Sequence, residues 1–131
     1  MKTENELSKI IVDCCYTIHT ALGPGLLESV YEEILLYEIR KRGLNCEQQV
    51  EIPVVYDSLK LDMGFRADLI VENKLIAELK SIETLKDVHK KQLLTYLKIT
   101  HMKLGLLINF NVNLIKDGII RGNCKSRKRI L

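Results

Sequence analysis

Phe65-Arg66-Ala67-Asp68-Leu69-Ile70-Val71, then Glu72-Asn73-Lys74, then Leu75-Ile76-Ala77-Glu78-Leu79-Lys80 is the stretch whose reading decides the fold. Strand side chains alternate between the two sides of a sheet. Phe65, Ala67, Leu69 and Val71 therefore face one side, as do Leu75, Ala77 and Leu79 of the next run, and that side is wholly apolar. The opposite side carries Arg66, Asp68 and Ile70, against Ile76, Glu78 and Lys80. Charged groups facing a covered sheet are costly unless paired or metal-bound, so these acids need a reason. Glu72-Asn73-Lys74 is the only turn candidate between the runs. A three-residue hairpin loop there pairs Val71 with Leu75 and, counting back, sets Asp68 directly across from Glu78. Such neighbours have Cβ atoms about 4.5–5.5 Å apart. Two carboxylates at that spacing repel, and they are close enough to share one hard cation at about 2.0–2.1 Å.

The flanking sequence supplies the rest of the order. Leu7, Ile10, Ile11, Cys14, Cys15, Ile18 and Leu22 recur at helical spacing behind a Thr3-x-x-Glu6 capping box, and Gly23-Pro24-Gly25 ends that helix. A second helix is expected from about Leu26 to Arg42, with Leu27, Val30, Tyr31, Ile34 and Leu35 on its inner face and Gly43 as terminator. The period then changes to two: Val50 to Tyr56 is a strand, Asp57-Ser58 a turn, and Leu59 to Val71 one long strand. Leu75 to Ser81 is the third strand, Asp87 to Ile99 a helix, and Leu104 to Phe110 an apolar run of the kind a central strand shows. Leu114 to Ile120 is expected to form a small hairpin around Asp117-Gly118.

Composition narrows the class. A chain of 131 residues with 47% hydrophobic and 28% charged residues is one domain with a real core, which excludes general disorder. The expected division is a single domain over residues 1–122 and a basic, flexible tail over 123–131. There is no N-terminal basic-plus-apolar signal and no apolar run near the roughly 18 residues that span a bilayer, so a soluble cytoplasmic protein without membrane contact is expected. Cys14, Cys15, Cys46 and Cys124 lack metal-ligand spacing and read as reduced, mostly buried thiols. Residues 1–83 hold 9 Lys/Arg against 15 Asp/Glu, whereas residues 84–131 hold 11 against 2. The net charge of +3 thus conceals a strongly basic C-terminal third suited to a polyanion such as nucleic acid. Lys90, Lys91, Lys125, Arg127, Lys128 and Arg129 are its candidate contacts; a solvated lysine face and a loose tail are the plainer reading.

Helix, three meandering strands, helix, strand, with Asp68 followed by Glu78-Leu79-Lys80, resembles the PD-(D/E)XK nuclease core. Two further stretches resemble motifs within that superfamily. Gln92-Leu93-Leu94-Thr95-Tyr96 is similar to the Q-x-x-x-Y motif of the RecB-like and lambda-exonuclease-like branch. Gly25-Leu26-Leu27-Glu28-Ser29-Val30-Tyr31 is similar to the G-x-x-E-x-x-Y motif of the GxxExxY proteins. Ala67 stands where the signature has proline, a position that carries no chemistry. The implied fold is an α/β domain with a mixed sheet, an extra N-terminal helix and a small C-terminal hairpin.

The resemblance implies a Mg²⁺- or Mn²⁺-dependent nuclease acting on nucleic acid, DNA before RNA. Asp68, Glu78 and the backbone carbonyl of Leu79 would hold the ion, with Glu28 as a further metal ligand. Lys80 would orient or deprotonate the attacking water, and Gln92 and Tyr96, four apart on one helical face and sharing an arc with Val88, Leu93 and Ile99 that points towards the sheet, would position Lys80 or the phosphate. A chain this short has little beyond the core to clamp a duplex, so a second copy or a partner would supply grip. Each residue also has a plain structural reading. Asp68 and Glu78 could form a four-charge network with Arg66 and Lys80, Glu28 could complement its helix dipole, and Tyr31 and Tyr96 could be core aromatics. A silent nuclease-fold module that binds nucleic acid or a protein is the alternative function.

Overall fold

The computed structural model describes residues 1–124. The basic positions Lys125, Arg127, Lys128 and Arg129 lie outside the described residues. Helix α1 (Glu4–Leu22) opens on the expected capping box, in which the Glu6 N–H donates to Thr3 Oγ1 and the Thr3 N–H to Glu6 Oε1, each at 3.2 Å. It ends at Gly23, whose φ of 71° suits glycine. Helix α2 (Glu28–Lys41) follows, then strands β1 (Cys46–Tyr56), β2 (Leu59–Val71) and β3 (Leu75–Lys80), helix α3 (Asp87–Thr100) and strand β4 (Leu104–Asn109).

The C-terminal element differs from the expected hairpin. Asp117-Gly118 closes a single 3₁₀ turn, Ile115–Gly118, and the chain then runs into a fifth strand, β5 (Ile119–Asn123), antiparallel to β4. The sequence Ile115 to Ile120 is too short for two paired arms, and β4 offers a longer edge to pair with. The Cys124 N–H donates to the Lys103 carbonyl at 2.9 Å, so pairing continues past residue 122.

The sheet has strand order β1-β2-β3-β4-β5, with β3 and β4 parallel and every other neighbouring pair antiparallel. The crossover from β3 to β4 is α3, as a parallel pair requires. Helices α1 and α2 cover one face, where Leu7, Ile11, Ile18, Tyr31, Leu35 and Ile39 pack on Leu69, Val71, Leu75, Ala77, Leu79 and β4. Helix α3 covers the other through Leu93 and Leu97, which meet Ala67, Ile70, Ile76 and Leu107. Gly105 and Gly122 pair across β4 and β5 beneath Leu93; a Cβ on Gly105 would lie 2.7 Å from Leu93 Cδ1. That pair lets α3 approach the sheet closely and sets the height of its side chains over β2 and β3.

Two expected faces are corrected. Phe65 and Ala67 pack with the α3 cluster, while Leu69 and Val71 pack under α1 and α2, so the odd residues of β2 change sides at Asp68. The reason is a local break in the ladder, where Gln49 on β1 takes a left-handed φ of 51° opposite Asp68. On α2, Leu27 and Val30 are exposed, and Leu36 and Ile39 join Tyr31 and Leu35 inside. The helix starts two residues later than its apolar periodicity suggests, because Leu26 and Leu27 belong to the loop. Cys14, Cys15 and Cys46 are buried free thiols, and burial pushes Cys14 and Cys46 up to about 11. No helix among the described residues is long and apolar enough to cross a membrane.

Candidate active site

The backbone ladder between β2 and β3 pairs Val71 with Leu75, Ile70 with Ile76 and Leu69 with Ala77, the register that a loop of Glu72-Asn73-Lys74 sets. Glu72 and Asn73 both have positive φ, and the Glu72 carboxylate accepts the Asn45 N–H at 2.7 Å, fixing that loop against β1. The next pair would be Asp68 and Glu78, and here side chains replace the ladder. The Asp68 N–H donates to Glu78 Oε2 and the Leu79 N–H donates to Asp68 Oδ2, each at 2.9 Å. Each carboxylate is therefore anchored by the backbone of the opposite strand, and the two acids meet in the gap where β2 and β3 part.

The electrostatics of this gap are unfavourable to the bare chain. Glu78 is buried, and its carboxyl is pushed up to about 9, first by that burial and then by the Asp68 charge beside it, with Lys80 acting the other way. Lys80 is half-buried, one strand position further along the same face. Arg66 turns away to Glu51, 3.3 Å distant on the exposed side, and that is the one ion pair among the described residues. The four-charge network of Asp68, Glu78, Arg66 and Lys80 does not form.

The loop before α2 brings Glu28 to the same place. Tyr31 is fully buried and stacks on Phe110 at 4.5 Å; its hydroxyl donates to the Gly23 carbonyl at 2.6 Å and accepts the Leu26 N–H at 3.2 Å. Ser81, directly after β3, donates its hydroxyl to the Leu26 carbonyl at 2.7 Å. Tyr31 is thus the strut that folds Gly23-Pro24-Gly25 back and ties it to the end of β3, leaving Glu28 in the first turn of α2. Glu28 stays exposed at its rim, yet partial desolvation raises its carboxyl pKa; Lys80 lowers it, and Asp68 and Glu32 add to the rise.

Glu32, Gln48 and Gln49 are the residues that sequence reasoning missed. Glu32, four after Glu28 and so on the same helical face, is a buried carboxylate that accepts from Gln48 Nε2 and Gln49 Nε2, each at 2.8 Å. Gln49 Nε2 also donates to Asp68 Oδ1 at 3.3 Å. Burial raises the Glu32 pKa, the two glutamines lower it, and Asp68 raises it again. The available signals were the spacing from Glu28 and two consecutive glutamines directly before the strand expected from Val50; β1 in fact begins at Cys46.

On α3, Tyr96 stacks on Phe65 at 3.7 Å between ring centroids and is half-buried. Burial raises its pKa, Glu78 and Asp68 raise it further, and Gln92 lowers it. Tyr96 therefore lies within electrostatic range of the acidic gap. Gln92 and Val88 are exposed, contrary to the inward arc expected for them, because Leu93 and Leu97 take the central contacts and rotate Gln92 to the rim. Lys90 and Lys91 lie exposed on the same helix. Leu79 is fully buried by its side chain, with its N–H committed to Asp68.

Among the described residues no three acidic, His or Cys side chains gather tightly enough to cage a cation by themselves. The donor set still suits a small hard ion, because Mg²⁺ usually takes only one or two carboxylates and completes its shell with waters and substrate oxygens. Asp68 and Glu78 present two such carboxyl groups in a gap where a second negative charge is disfavoured without a cation.

No curated protein and no solved structure matches the chain. A family model for the PD-(D/E)XK nuclease superfamily matches residues 5–122, which takes in α1 from its second residue, α2, α3, β1 to β4, most of β5, and the Asp68 and Glu78-Leu79-Lys80 positions. The match spans nearly the whole described domain, and the mixed five-stranded sheet between helices agrees with it, so the chain belongs to the PD-(D/E)XK nuclease superfamily.

Proposed function

We propose that the protein is a divalent-metal-dependent nuclease that hydrolyses phosphodiester bonds at the gap between β2 and β3. Superfamily membership points to nuclease activity on nucleic acid. The observation that supports this chain's own activity is the meeting of Asp68 and Glu78 from adjacent strands without a compensating cation, Lys80 following on the same face. Asp68 and Glu78 would hold Mg²⁺ or Mn²⁺, with the Leu79 carbonyl and Glu28 as further donors. A bound ion of this kind supplies charge neutralisation at the phosphate and a more acidic water.

The chain's residues then have separable tasks. Lys80 orients or deprotonates the attacking water and offsets charge on the phosphate. Tyr96, facing the same gap, and Gln92 at its rim position Lys80 or a phosphate oxygen. Exposed Lys90 and Lys91, with the basic residues after 124, contact the nucleic-acid backbone. The spacing of Gln92 and Tyr96 favours the RecB-like branch and, with it, DNA over RNA; the Gly25, Glu28 and Tyr31 spacing favours the GxxExxY group. The test is incubation of the pure protein with single- and double-stranded DNA and RNA, with Mg²⁺, Mn²⁺ or EDTA. Cleavage should require the metal and fall about 10²–10³-fold or more in Lys80→Ala, the scale for one electrostatic catalytic group. Metal-independent cleavage, or an unaffected Lys80→Ala, would refute the assignment.

A further inference from the structure

The side chain of Gln49 has no role in the nuclease reading, yet its surroundings are specific. Its backbone sits at φ 51°, a left-handed conformation that glutamine seldom adopts, opposite Asp68 where the β1–β2 ladder skips one pair between Gln48–Leu69 and Val50–Ala67. Gln49 remains exposed, and its Nε2 donates to both Glu32 Oε1 at 2.8 Å and Asp68 Oδ1 at 3.3 Å. A primary amide nitrogen has two protons, so one Gln49 nitrogen serves two carboxylates at once. Glu32 is in turn fixed by Gln48, whose Nε2 donates at 2.8 Å to Glu32 Oε2 and at 2.7 Å to Glu33 Oε1. The second Asp68 oxygen accepts the Leu79 N–H at 2.9 Å. Both oxygens of Asp68 are thereby held, one from β3 and one from β1 through a buried acid on α2.

We propose that Gln49, anchored by Glu32, is a positioning clamp for the Asp68 carboxylate, fixing its orientation for the hard cation and phosphate it would meet. This rests on the nuclease reading above. A glutamate at position 49 would place a third anion between two others, and asparagine lacks the reach, so the position calls for a long neutral donor. The clamp is an outer partner of a metal ligand, and loss of such partners weakens metal affinity or activity about 10–100-fold.

Gln49→Gly separates the side chain from the backbone, because glycine adopts positive φ readily. With metal-free protein in EDTA its melting temperature should match or exceed that of wild type, showing that the fold does not need the amide. After EDTA removal, Mn²⁺ titrated into each protein by calorimetry should show Kd raised about 10–100-fold in Gln49→Gly. The cleavage assay should show kcat reduced with KM for nucleic acid unchanged. Gln49→Glu should be weaker still. A Gln49→Gly protein with wild-type Mn²⁺ affinity and turnover overturns the clamp alone. A wild type that neither binds Mn²⁺ nor cleaves overturns both the clamp and the function it serves.

Discussion

The two halves of β2 carry the same alternation and have opposite fates. In the inner half Leu69 and Val71 are fully buried, whereas in the outer half Leu59, Leu61 and Met63 are 56%, 48% and 51% exposed. The difference lies in what covers them. Only Leu69 to Val71 pair with β3, and helices lie over both faces there. Beyond Gly64, β2 is held by β1 alone, forming a two-stranded arm with no further strand beside it. Alternation in a sequence says which side a residue points to; the neighbours decide whether that side is dry. The charges obey the same rule, since Asp62 and Lys60 on the arm sit in water while Asp68 and Glu78 sit in the covered gap.

The comparison predicts a graded response to substitution. The largest effect should be on chemistry at the covered end: Asp68→Asn should reduce metal-dependent cleavage by about three orders of magnitude or more, about 4 kcal/mol of transition-state stabilisation. Asp62→Asn on the arm should cleave normally. Next comes packing. Leu69→Ala should cost about 2–5 kcal/mol in urea unfolding, as large-to-small core changes do, whereas Leu61→Ala should stay within about 0.5 kcal/mol. Equal costs would mean that the arm is covered in solution.

Third is ligand linkage, where a saturating cation should raise stability by RT ln(1 + [L]/Kd), about 2.7 kcal/mol at a hundredfold excess of Mn²⁺. Asp68→Asn should abolish that increment and Asp62→Asn should keep it.

The smallest effect should come from the lysines. Replacing Lys90 and Lys91 by Ala should lower the salt dependence of duplex DNA binding by up to about 0.9 in the log–log slope per lost phosphate contact. An unchanged slope would mark them as a solvated face.

The register of β2 and β3 was legible because a three-residue loop leaves one pairing that keeps Leu69, Val71, Leu75 and Ala77 on the same side. Asp68 opposite Glu78 followed from it. The Gly25, Glu28 and Tyr31 spacing was legible as a motif, but its physical content, a tyrosine strut returning a loop to β3, needed the tertiary contacts of Gly23, Leu26 and Ser81. Glu32 and Gln49 were hidden for a different reason. Their relation depends on one residue taking positive φ in a strand, which period-two reasoning assumes away. Phe65 and Ala67 change faces at the same point of the ladder. Gln92 was misplaced because a helical arc fixes only an angle, and the Gly105–Gly122 seat for Leu93 sets where that angle is measured from.

The central claim is that the Asp68–Glu78 meeting is kept for a cation and at a cost to the bare fold. In the folded, metal-free protein Glu78 holds its proton up to about 9, against an ordinary value of 4.5. The folded state thus binds more protons than the unfolded state between those values, so this group's contribution to stability is complete below about 4.5 and is lost as pH rises towards 9. Glu78→Gln keeps an acceptor for the Asp68 N–H and removes the titration. The deciding measurement is the unfolding free energy of wild type and Glu78→Gln in EDTA from pH 5 to pH 9. The account predicts that wild type loses stability across this range relative to Glu78→Gln, leaving the variant the more stable protein at the alkaline end. A Glu78→Gln protein that is destabilised by about 3–5 kcal/mol at every pH, as when a buried structural ion pair is broken, would contradict it.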